Sequence, residues 1–136
     1  MKLIIYTDGA SRGNPGLASY GFTIQDKNGK FLGKVGKFIG KTTNNVAEYT
    51  AVLEVLKEVE RELSSKAPLS IELFADSMLV VRQLSGEFKL KSAKLKPFFD
   101  QIKVLESSLG KVFYNYIPRE RNKLADQLAN EALDRE

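Results

Sequence analysis

Three stretches of the chain alternate apolar and polar side chains before any stretch repeats at helical spacing, and that order limits the folds open to it. Residues 2–7 are strongly apolar and alternate, and residues 18–26 set Tyr20, Phe22 and Ile24 against Ser19, Thr23 and Gln25. Asn28-Gly29 is a hairpin turn signal, and residues 31–39 supply the returning strand. The first helix is predicted over about 45–63, where Val52, Val55, Leu56 and Val59 recur on one side and "SSKAP" breaks the pattern. A fourth strand is expected over 69–75 and a short helix at about 77–85. Leu95, Phe98, Ile102, Leu105 and Leu109 mark another helix, with Pro97 in its first turn and Gly110 as its cap. A fifth strand is expected over 112–117 and a last helix from near Glu120. The order βββαβααβα predicts an α/β fold, a five-stranded mixed sheet with helices on both faces. With 136 residues, no repeat and no dividing linker, one domain over 1–136 is expected.

Four carboxylates stand at the ends of these elements. Asp8 is read as ending the first strand and Asp76 the fourth, where ligands gather in open α/β sheets. Glu48 lies on the apolar stripe of the first helix, four residues before Val52. Asp126 flanks the apolar face of the last helix. Each has an ordinary reading. Asp8-Gly9 suits a turn, Asp76-Ser77 suits a helix cap, Asn45 and Glu48 have capping-box spacing, and Asp126 suits a solvated first turn. Brought together, the four would raise one another's pKa unless a counter-charge intervened.

The chain has no histidine and no cysteine, which removes the usual general base, thiol nucleophiles and Cys- or His-based metal sites. All-oxygen ligation suits Mg²⁺ or Mn²⁺, and two such ions about 3.5–4 Å apart can drive phosphodiester hydrolysis. Setting the four acids aside leaves 21 basic residues against 13 acidic ones, a surplus suited to a phosphate backbone. Lys89, Lys91, Lys94 and Lys96 crowd one short stretch, and Arg119, Arg121 and Lys123 another. No apolar run is long enough to span a membrane, and the apolar start is too short for a signal peptide, so a cytoplasmic protein without a membrane partner is expected.

The stretches "YTDGASRGNPG", "TTNNVAE", "FADS" and "RNKLADQLAN" together resemble the successive motifs of type 1 ribonuclease H, in order and over residues 2 to about 133. The abbreviated "GEFKLKSAKLKP" is similar to the compact bacterial and archaeal branch, which lacks the long basic handle. The resemblance implies the ribonuclease H-like fold and hydrolysis of the RNA strand of RNA–DNA hybrids, leaving 5′-phosphate and 3′-hydroxyl ends. It implies two Mg²⁺ ions (Mn²⁺ as substitute) held by Asp8, Glu48, Asp76 and Asp126, with Asp8 bridging. It assigns Asn14, Lys41 and Thr43 to a DNA-strand phosphate and Asn44 and Asn45 to the minor groove, where the 2′-hydroxyl distinguishes RNA. Asn45 is read equally as a helix cap.

The larger enzymes of the family carry a loop histidine before the last helix. Arg119 is the nearest candidate here, as a phosphate ligand rather than a base, with Arg121 close behind. Met78 stands where those enzymes have a substrate-contacting glutamine, and Lys89 and Lys91 lead what remains of the handle. A monomer is expected. Double-stranded RNA stays open as a second substrate, and a junction-resolving nuclease or a non-catalytic hybrid-binding module are the competing functions.

Overall fold

The computed structural model describes residues 1–136. β1 (Lys2–Gly13), β2 (Gly16–Asp26) and β3 (Phe31–Thr42) form the antiparallel meander. α1 (Asn44–Leu63) leads into β4 (Leu69–Ala75), which lies parallel to β1. α2 (Met78–Leu84) and α3 (Lys96–Leu109) follow, then β5 (Gly110–Tyr116), parallel to β4, and α4 (Lys123–Asp134). The sheet order β3-β2-β1-β4-β5 places β1 at the centre, between an antiparallel and a parallel neighbour.

The element order matches the expectation, and three boundaries differ by three residues or more. β1 does not end at Asp8 but runs to Gly13, and β3 reaches Thr42. Residues 9–13, Gly-Ala-Ser-Arg-Gly, carry no apolar alternation. They are extended because each opposes a residue of β2, from Gly9 against Tyr20 to Gly13 against Gly16. The last helix starts at Lys123 rather than near Glu120, because Arg119–Arg121 form a separate 3-10 turn after Pro118.

α1 packs on β1, β2 and α3 on one face, while α4 crosses β1, β2 and β3 on the other. Leu3, Ile5, Ile71 and Leu73 meet Val52, Val55, Leu56, Val59 and Ile102 in the core, all 0–1% exposed. α4 lies close on its face because β2 and β3 offer glycines there. A Cβ on Gly21 would sit 2.8 Å from the Ala129 nitrogen, and one on Gly36 would sit 2.8 Å from the Leu128 carbonyl carbon. Ser19 Oγ also donates to the Ala129 carbonyl at 2.5 Å. No helix is long and apolar enough to cross a membrane.

Candidate active site

The parallel pairing of β1 with β4 stops at Thr7 opposite Ala75, so the next residue of each, Asp8 and Asp76, emerges beside the other. Asp76 is not needed as a cap, because Ser77 Oγ accepts from the Val80 N–H at 3.4 Å and starts α2. Glu48 arrives from the opposite face of the sheet. The capping box of Asn45 and Glu48 does not form: Thr43 is the N-cap of α1, its Oγ1 accepting from Val46 N–H at 3.3 Å. Glu48 is thereby free to turn toward β1, where its Oε1 accepts a short hydrogen bond from the Gly9 N–H. Carboxylate oxygens of Asp8, Glu48 and Asp76 all lie within 4.8 Å of one another.

Asp126 adjoins Asp8 but stands outside that trio. Its carboxylate is 3.8 Å from the Arg119 guanidinium and accepts from Asn130 Nδ2 at 3.1 Å. Three of the four predicted acids thus converge within 4.8 Å, and Asp126 reaches Asp8 from the side.

Asp8 is 4% exposed. Burial, then the charges of Glu48, Asp76 and Asp126, push its carboxyl up to about 10. Glu48 is pushed up to about 8 by burial and Asp76, while the Gly9 N–H and Arg119 pull the other way. Arg119 is the one cation among the residues that line the cavity around these carboxylates. Three carboxylates and no nitrogen or sulfur donor form the set that a hard divalent cation prefers. The surrounding 330 Å³ cavity is lined by Asp8, Gly9, Asn44, Asn45, Glu48, Asp76, Ser77 and Arg119, with no apolar side chain among them.

A family model described as "Reverse transcriptase-like" matches residues 6–132. The crystal structure of LC11-RNase H1 with an RNA/DNA hybrid superimposes with a TM-score of 0.94 at 40% identity, covering 98% of this chain and 97% of that one. RNase H1 of Halobacterium salinarum superimposes with a TM-score of 0.90 at 35% identity, covering the whole of both chains. The chain belongs to the type 1 ribonuclease H family. It also matches a bifunctional protein of Mycobacterium tuberculosis at 38% identity over 98% of its own length, but spans only 36% of that relative. Like other type 1 ribonucleases H, it presents an acidic cluster suited to divalent ions.

Of the other predicted residues in this ribonuclease H chain, Arg119 lines the acidic cavity, whereas Arg121 lines a different groove with Tyr6 and Gln25. A second groove, of 540 Å³, contains Asn14, Thr43, Asn45, Lys89, Lys91 and Lys94, and Asn45 borders both cavities. Asn14 Oδ1 accepts from the Asn44 N–H at 3.1 Å, tying the β1–β2 turn to the start of α1. Lys41 is exposed on β3 opposite Leu17 and does not line that groove. Lys96 is drawn away into an ion pair with Asp100 at 3.1 Å. Met78 opens α2 and is exposed.

Two positioning residues escaped the sequence reading. One is Gly9. The other is Asn122, which is 1% exposed. Its Nδ2 donates to the Thr7 carbonyl at 2.8 Å, and its own carbonyl accepts from the Asp126 N–H at 3.1 Å. One residue thus holds Asp126 to the peptide leading into Asp8. The only sequence signal was an asparagine four residues before an acid, which reads first as a cap. Asn122→Ala is expected to lower stability by about 1–3 kcal/mol, because the buried Thr7 carbonyl loses its donor. Thermal unfolding checks this; an unchanged melting curve would show that the link does not hold.

Proposed function

We propose that residues 1–136 act as one ribonuclease H domain that hydrolyses the RNA strand of RNA–DNA hybrids. The observation that carries this reading is the mutual approach of Asp8, Glu48 and Asp76 within 4.8 Å, beside a groove lined with lysines and asparagines. Asp8, Glu48, Asp76 and Asp126 would hold two Mg²⁺ ions, which when bound supply the charge that activates water and stabilises the leaving oxygen. The protein's own groups set the reaction's geometry. Gly9 aims Glu48, Ser77 relieves Asp76 of capping, and Asn122 fixes Asp126 relative to Asp8. Asn44 and Asn45 line the cavity beside the acids, which supports a role in meeting 2′-hydroxyls and RNA as the strand that is cut. Lys89, Lys91 and Lys94, with Asn14 and Thr43, offer cations and hydrogen-bonding groups to the phosphates of the DNA strand.

A Mg²⁺ titration with a labelled hybrid, run beside its RNA-only and DNA-only counterparts, tests the assignment. Hybrid alone should be cut, at the RNA strand and only with the metal. Cleavage of the DNA strand, or metal-independent cleavage, would overturn it.

Arg119 reaches toward Asp126 from an exposed turn and faces the acidic cavity. A guanidinium there binds phosphate without accepting a proton. Arg119→Ala is therefore expected to lower kcat by roughly 10–100-fold while KM changes by less than about threefold. A change confined to KM would make Arg119 an anchor for the substrate instead.

A further inference from the structure

α4 covers β1, β2 and β3 and stops short of β4 and β5, leaving part of that sheet face without a helix. Directly opposed residues of neighbouring strands point the same way. Phe31 opposes Gln25, Gln25 opposes Ile4, Ile4 opposes Glu72, and Glu72 opposes Phe113. This row crosses all five strands, roughly 19 Å. Phe31 and Phe113 at its ends are 40% and 41% exposed. Two residues toward the active site, and so on the same face, Tyr6 and Phe74 stack at 5.1 Å with their planes 20° apart.

Away from the acidic cluster, the cations on this face gather at the exposed rings. Lys34 Nζ lies 4.0 Å over the Phe31 ring and Lys111 Nζ 5.1 Å over the Phe113 ring. Lys2 projects from the same face of β1, two residues before Ile4, and Arg121 borders the groove between α4 and the sheet. The acid within the row, Glu72, already accepts from Asn115 Nδ2 at 2.8 Å. Tyr6 and Phe74 each stand two residues before a cluster acid, Asp8 and Asp76, so the rings begin roughly 7 Å from the site. Asn122, whose buried Oδ1 has no hydrogen-bond partner, lines the 220 Å³ groove that also holds Tyr6, Phe31 and Arg121.

Exposed rings on a sheet with cations at their faces match what unpaired nucleotides require: a platform for bases and charge for phosphates. A duplex keeps its base faces stacked inside and cannot use such a platform. We propose that this face binds single-stranded nucleic acid, namely an unpaired tail running off the hybrid; the proposal rests on the ribonuclease H reading above. A second copy of the chain is the rival occupant.

The test is equilibrium binding by fluorescence anisotropy, with Ca²⁺ in place of Mg²⁺. The probes are a blunt hybrid and the same hybrid with a 5′ or 3′ tail of about ten nucleotides. A tail on one side is expected to tighten binding about tenfold, and Phe31→Ala with Phe113→Ala should abolish that gain. Both positions are exposed, so the double variant should keep the wild-type melting curve, and blunt-hybrid affinity and cleavage should stay within about twofold. Equal affinity for tailed and blunt hybrids would overturn the proposal, as would a gain that survives the double variant. Concentration-dependent sedimentation abolished by the double variant would assign the face to self-association instead. Failure to cleave blunt hybrid in Mg²⁺ would sink the ribonuclease reading while leaving the tail comparison interpretable.

Discussion

Asp8→Asn is expected to lower hydrolysis on the order of a thousandfold or more, to leave hybrid affinity within a few-fold, and to stabilise the protein when divalent ions are chelated. The first two effects follow from keeping the side chain's shape while removing a ligand charge from the centre of the trio. The third follows from linkage. Asp8 is pushed up from 3.8 to about 10 and Glu48 from 4.5 to about 8. A carboxyl raised on folding keeps its proton in the native state after the unfolded chain has released it. The native state then holds more protons, so stability falls as pH climbs from about 4 toward these raised values. In chelator the wild type should lose stability steadily between pH 5 and 8, and the asparagine variant should lose less, since only the share of Glu48 remains. At pH 8 the variant should be the more stable by about 1–3 kcal/mol, or roughly 3–8 °C in Tm. Saturating Mg²⁺ should narrow the gap by stabilising the wild type preferentially. Melting curves across pH, with and without the ion, decide it. A variant less stable than wild type in chelator at pH 8 would mean that the acids do not strain the fold.

How much of this was legible in the sequence depended on whether the cause was local. Hydrophobic period gave the element order, and Asn28-Gly29 and Gly110 marked real boundaries: Gly29 has φ +84° and Gly110 +133°. Residues 9–13 were missed as strand because they are held extended by β2, not by their own preference. Asp8 and Asp76 could each be placed at a strand end, but their meeting required that β1 and β4 be parallel neighbours, which the sheet supplies. Glu48 could be seen as anomalous on an apolar stripe, but not that Thr43 takes over capping and frees it. Asp126 was drawn into the cluster by motif position; from α4 it reaches Asp8 and also meets Arg119 and Asn130. Arg119 and Arg121, two residues apart in a 3-10 turn, line different cavities, which no periodicity encodes.

The same distinction predicts a large effect at a position without a side chain. Gly9 follows Asp8 on β1, and α1 crosses it where Glu48 begins to face the acids. A Cβ placed on Gly9 would lie 2.5 Å from the Ala47 carbonyl carbon and 2.8 Å from Glu48 Cα. These are backbone atoms, so no rotamer change relieves the overlap, and the start of α1 must move as a unit. Gly9→Ala is therefore expected to lower stability by about 2–4 kcal/mol. Glu48 is the member of the trio that α1 carries, so the same displacement takes it away from Asp8 and Asp76 and loosens its bond from the residue 9 N–H. A misplacement near 1 Å reduces catalysis on the order of a hundredfold. Hydrolysis should fall by about that factor even at a temperature where the variant is fully folded, which separates lost alignment from lost fold. Gly33→Ala is the control: its Cβ would meet only the Ile24 side chain, at 3.5 Å, an ordinary contact. That variant should melt within about 1 kcal/mol of wild type and cleave normally. If Gly9→Ala cleaves at the wild-type rate, the close crossing of β1 and α1 does not aim Glu48, and another contact must set its place in the trio.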